Sequence, residues 1–232
     1  MSRNTLAKAT LVIIAMNLAS KVLGFVRETV IANKYGATFA TDAYNAAYTI
    51  PYFLQMVLGM ALVTSIVPVV TKYVLKGERE EGYRIASITL NWTVLFMAVL
   101  TVLGMLASGA IVSLITPGFT EDTAQLSTRL TVIMFPSLIF MGAGMLITGL
   151  LNADKRFAVA AFAPGFSNLV IIFFVIFLGG WGIDYLALGT LCGMAGILLI
   201  QLPSLARSGF IYYWDWNIRH VEVRGIFYNL LP

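Results

Sequence analysis

One cysteine and one histidine are all that 232 residues supply. Cys192 sits in an apolar run and has no second thiol, which excludes a disulfide framework and a thiolate metal cluster. His220 cannot by itself provide paired metal ligands. No serine or cysteine nucleophile stands with a histidine partner, and no glycine loop of phosphate-cradling pattern is present. The sequence therefore predicts no enzyme, no cofactor and no metal. Charge is also scarce, at 11% of residues, against about 25% in a soluble domain. No small-residue cleavage site closes a short apolar core near the N-terminus, so that stretch does not read as a signal peptide.

What fills the space is apolar. Hydrophobic residues make up 59% of the chain, and the mean hydropathy is +0.86. These values predict an integral membrane protein. The formal charge of +4 does not suggest nucleic acid, because the basic residues occupy short loops instead of forming a patch. Six segments reach the roughly 20 residues needed to cross a bilayer: 9–33, 43–71, 86–115, 129–151, 158–179 and 184–206. Backbone polar groups in lipid must be paired within the segment, and period-two alternation is missing, so the spans are expected to be helices. The predicted fold is an all-α, polytopic bundle of six transmembrane helices, with residues 1–207 as the helical unit.

Lysines and arginines set the orientation. Arg3, Lys8, Lys72, Lys76, Arg79, Arg84, Lys155, Arg156, Arg207, Arg219 and Arg224 fall at one set of ends. Lys34 stands alone opposite, with Arg129 at the edge of the fourth span. Both termini are thus expected in the cytoplasm. Residues 208–232 mix aromatics with charge, as a segment at the membrane interface would. The final "FYNLLP" reads as the start of a seventh span cut short.

Charges inside the first span are the feature that asks for an explanation. In "SKVLGFVRET" (20–29), Lys21, Arg27 and Glu28 lie within otherwise lipid-compatible sequence. At 1.5 Å per residue, Arg27 and Glu28 lie about 10–12 Å from the outer loop and Lys21 about 20 Å. Asn17, Lys21, Gly24 and Glu28 share one stripe; Ser20, Gly24 and Arg27 share the next. On the second span, Asp42 is near the outer end, Thr49 is level with Arg27, and Gln55 with Lys21. Gly24 and the internal Pro51 are the points where these helices could bend. Two readings follow. The four charges could close two ion pairs, Arg27 with Asp42 and Lys21 with Glu28, and merely fasten helices. Alternatively they line a hydrated cavity for an anionic head group such as a diphosphate, with Glu28 and Asp42 as gating partners.

The motifs "SKVLGFVRE" (20–28), "YGATFATDAY" (35–44), "IP" (50–51), "VP" (67–68), "TPGF" (116–119) and "RFAVAAFAPGFSN" (156–168) occur in this order. Together they resemble the lipid II flippase family (MurJ/MviN) of the multidrug/oligosaccharidyl-lipid/polysaccharide exporter superfamily. The resemblance implies the N-terminal lobe of a two-lobed, alternating-access transporter in the bacterial cytoplasmic (inner) membrane. Its task would be to move undecaprenyl-diphosphate-linked peptidoglycan precursor outward for cell-wall synthesis. It further implies that Arg27 and Lys21, with Gln55 and Thr49, meet the head group, that Glu28 and Asp42 gate, and that a second lobe of six to eight helices completes the cavity. The implied partners are lipid II or a similar polyprenyl-diphosphate-linked saccharide, and the bilayer. Lys21 stands where the family has arginine, and Thr49 and Gln55 stand where known members carry Lys and Arg. The alternatives are a cation-coupled exporter of drugs or other polyprenyl-linked saccharides, and a non-transporting membrane fragment.

Overall fold

The computed structural model describes residues 3–228, apart from the side chains of residues 3–9, 55, 58–60 and 227. Nine α-helices are formed among them: α1 (Arg3–Tyr35), α2 (Phe39–Lys76), α3 (Arg79–Leu106), α4 (Ser108–Ile115), α5 (Glu121–Met134), α6 (Ser137–Ala153), α7 (Phe157–Phe177), α8 (Asp184–Ala206) and α9 (Val221–Tyr228). Among the described residues, four helices (α3, α7, α8 and residues 10–35 of α1) are long and apolar enough to cross a membrane, and α5 with α6 could form a fifth, bent span. The protein is thus an all-α membrane protein, as composition predicts.

Two of the expected spans are not single helices. The stretch 86–115 breaks at Ala107 into α3 and α4. Gly104, Ser108 and Gly109 crowd that point, and glycine and serine are residues at which helices kink. The stretch 129–151 is bent by 42° between α5 and α6. Pro136 lies in that gap, and its ring removes the N–H needed to carry the helix through. Hydropathy sees neither break, because the residues on both sides are equally apolar. Pro51, Pro68, Pro164 and Pro203, by contrast, lie inside continuous helices. The α2 helix starts at a Thr38–Thr41 capping box and stops at Gly77, whose φ of 81° few other residues adopt readily.

Packing order differs from chain order. The α1 helix lies mainly against α7, α7 against α8, α8 against α6 and α5, and α6 against α2, which also meets α3. Helices α1 and α2 are joined by a short turn yet are held on different neighbours. A cavity opens between them, with Ile13 and Asn17 on one side and Val67 on the other, and α1 presents Leu11, Ile14, Leu18, Val22 and Phe25 to the outside of the bundle.

Residues 208–228 fold back over α2 and α3. The Tyr212 hydroxyl donates to Asn91 Oδ1 at 2.6 Å, and Asn91 Nδ2 donates to the Asp215 carbonyl at 2.9 Å. Arg84 Nε donates to Asp215 Oδ2 at 2.6 Å, Lys72 pairs with Glu222 at 2.6 Å, and Trp216 packs edge-on to Trp92. Val223 and Ile226 of α9 are buried in the main core. The segment is therefore a strap that satisfies buried polar groups of α3, which is more than an interfacial location requires.

Asp215 is held below the ordinary carboxylate range, first by Arg84 and then by the Asn217 backbone N–H. A depressed acid favours the docked state above the free aspartate pKa, and that contribution disappears as pH falls through the docked value. The hydrogen-exchange protection of residues 210–217, taken relative to the intrinsic rate at each pH, is expected to be constant at neutral pH and to fall below about pH 4. In Arg84→Gln the docked value rises toward the free one, so protection is expected to be lower at neutral pH and to change less with pH. An Arg84→Gln profile identical to wild type would mean that the pair does not hold the strap.

Candidate functional site

The two stripes of α1 point in different directions. Ser20 is buried against α7: its hydroxyl donates to the Met16 carbonyl at 2.9 Å and the Ala161 carbonyl at 3.0 Å. Asn168 of α7 joins the same contact, with Nδ2 donating to the Ser20 carbonyl at 3.2 Å and Oδ1 accepting from Arg27 Nη1 at 3.1 Å. Gly24 lies opposite the Asn168 amide, and Gly165 lets the Ser20 backbone approach closely. On the other stripe, Asn17, Lys21 and Glu28 are exposed.

Arg27 sits between these environments. Its side chain is 18% exposed, whereas that of Glu28, its ion-pair partner through Nη2, is 63% exposed. The hydroxyls of Tyr44 and Tyr48 on α2 lie close to it, and Tyr48 is within hydrogen-bonding reach. Tyr44, Tyr48 and Tyr52 stack along α2 with ring centroids 6.1 and 5.6 Å apart. Tyr44 is fixed from behind by a 2.9 Å hydrogen bond with Thr190 of α8. Arg27 Nε is buried with no partner. An arginine has five N–H donors and no way to shed its charge in a protein, so this one donor is left unfilled.

The Arg27–Glu28 pair is neither of the two expected pairs, Arg27–Asp42 and Lys21–Glu28: it joins adjacent residues on one helix. Among the described residues no ion pair involves Lys21 or Asp42. Lys21 and Asp42 are both exposed; Asp42 stands in the first turn of α2, where the helix dipole favours an acid. Gly24 and Pro51 lie within continuous α1 and α2. Thr49 is not beside Arg27. Its hydroxyl donates to the Asn45 carbonyl at 2.8 Å, and the residue borders an apolar cavity of about 450 Å³ with Phe53, Leu103, Ile111 and Phe135. The Gln55 side chain lies outside the described residues. Among the described residues no cluster of three or more His, Cys, Asp or Glu could hold a metal ion.

Sequence reasoning missed Asn168 and the tyrosines. The only local signal was a polar residue inside "FAPGFSNLV" and a tyrosine every fourth position in "YNAAYTIPY".

The model of the family described as lipid II flippase MurJ matches residues 31–232. The chain belongs to the lipid II flippase MurJ family. A probable lipid II flippase MurJ of Buchnera aphidicola subsp. Acyrthosiphon pisum is 31% identical over 220 residues, covering 91% of this chain and 43% of the relative. A solved lipid II flippase MurJ in an inward closed conformation superposes with a TM-score of 0.75 at 26% identity, over 94% of this chain and 47% of that one. The Vibrio cholerae MATE transporter VcmN in its bent form gives a TM-score of 0.76 at 12% identity, over 98% of this chain and 52% of that one. At that identity the likeness concerns the fold alone. The chain spans less than half the length of the MurJ relatives it matches. It therefore has the architecture of about half of a MurJ-type protein, its N-terminal half.

Proposed function

We propose that this chain supplies one lobe of a lipid II flippase in the bacterial inner membrane, with both termini in the cytoplasm. In this reading it works with a second lobe of six to eight helices, and α2 counts as one of six spans. The docking of residues 207–228 supports that orientation: Lys72, Arg84, Arg156 and Arg207 are drawn together at one end of the bundle. The carrying observation is Arg27, a largely buried guanidinium with an unpartnered Nε and an exposed acid as its competitor. Glu28 is itself 63% exposed, so a diphosphate can displace it and take the fork, which suits phosphate oxygens. Lys21, about 9 Å further along α1, offers a second, mobile charge on the exposed face of that helix. Glu28 and Asp42 then act as gating acids, and Gly24 and Pro51 as the points about which α1 and α2 flex. The protein moves its cargo between leaflets and leaves it chemically unchanged. Alternating access needs two lobes around one site.

A second reading, export of drugs or other polyprenyl-linked saccharides, is favoured by one feature: uncharged Thr49 faces an apolar cavity. Water access tests the cavity that the flippase reading requires. In a Cys192→Ser background, Lys21→Cys is expected to react with a charged, membrane-impermeant maleimide at a rate near that of a loop position. A thiol at 21 that stays unreactive in every condition would remove the hydrated path and the flippase reading with it.

A further inference from the structure

A second cavity of about 450 Å³ opens between α1, α2, α6 and α7. Ile13, Val67, Phe157, Ala160 and Ala161 form its apolar walls, and Asn17, Thr148 and Asn152 supply its polar groups. The Thr148 hydroxyl is committed, donating to the Gly144 carbonyl at 2.9 Å and to Gln201 Oε1 at 3.0 Å. The two asparagine amides are not. Among the described residues neither has a hydrogen-bond partner, although each offers two donors and an acceptor. The lining carries no charged side chain, so it has nothing with which to neutralise an ion.

We propose that this cavity is a subsite for the neutral saccharide part of a polyprenyl-diphosphate-linked cargo, with Asn17 and Asn152 reading its amide and hydroxyl groups. This rests on the flippase reading and deepens it. Asn17 is one helical turn, about 6 Å, from Lys21 on the same exposed stripe of α1. A diphosphate at Lys21 and Arg27 therefore brings the sugar attached to it to the mouth of the cavity. The volume falls within the roughly 300–1,000 Å³ typical of small-molecule sites. Free amides facing apolar walls suit a sugar, which presents hydroxyl edges and C–H faces together. A drug cation would find no counter-charge there.

The test compares two lipids, lipid II and undecaprenyl diphosphate, binding to the full chain in nanodiscs. Asn17→Leu and Asn152→Leu are each expected to weaken lipid II binding by about tenfold, the scale of one or two neutral hydrogen bonds, and to leave undecaprenyl diphosphate unaffected. Retained binding of the bare diphosphate lipid also reports that the variants are folded. If the wild type binds both lipids equally, or the variants keep full lipid II affinity, or lose both lipids together, the subsite is overturned while the Arg27 reading stands. If Arg27→Ala changes neither lipid's affinity, the flippase reading falls and the subsite with it.

Discussion

Arg27→Ala is expected to lower affinity for undecaprenyl diphosphate by about 100-fold or more, with membrane insertion and thermal stability close to wild type. The size follows from two charge-assisted hydrogen bonds at about 1.5–3 kcal/mol each. Stability should hold because the guanidinium adds little that the fold needs. Its partner Glu28 is already mostly exposed, and Asn168 keeps its bond to the Ser20 carbonyl when Arg27 is gone. Arg27→Lys separates charge from shape. An ammonium restores the electrostatic attraction but not the planar fork, so it should recover part of the affinity. Equilibrium binding to nanodiscs measures both variants. Affinity unchanged in Arg27→Ala would dismiss Arg27 as a head-group ligand.

Gly165→Leu is expected to be the most damaging single change to the fold that also reaches the site. A Cβ at 165 would stand 2.8 Å from Ser20 Oγ, 3.1 Å from Ser20 Cα and 3.2 Å from Phe162 Cε2. The backbone contact leaves α1 no choice but to move away from α7. Overpacking of this kind costs about 1–3 kcal/mol, which should lower the Tm by roughly 5 °C. Separation would also draw the Ser20 carbonyl off Asn168 and Asn168 off Arg27, so diphosphate binding should fall together with stability. A Gly165→Leu protein with wild-type Tm and wild-type binding would contradict the close α1–α7 contact described above.

Much of this protein is legible in residue order alone. Scarce charge and long apolar runs fixed the membrane class, because in lipid a segment must be greasy and internally hydrogen-bonded wherever it sits. The basic loops gave an expected orientation, and Lys21, Arg27 and Glu28 stood out because an ionised group in such a run needs a reason. The break at Ala107 was hidden, since Gly104 to Gly109 are as compatible with a continuous apolar run as with a bend, whereas an internal proline such as Pro136 marks a bend in the sequence itself. The strap over α3 was hidden for a related reason: Asn91 could have met any neighbour, and only folding brings Asp215 and Tyr212 to it.

The site divides in the same way. That α1 carries buried charge is written in ten residues, because helical periodicity is local and puts Ser20, Gly24 and Arg27 on one line wherever the helix lies. Which line meets protein and which meets water is a matter of neighbours. The choice of α7 as partner turns Ser20 and Arg27 toward Asn168, 141 residues further along for Arg27, and leaves Lys21 and Asn17 on the exposed face of α1. Thr49 and Arg27, level along the membrane axis by counting, part company because azimuth around a helix is decided by what the helix packs against.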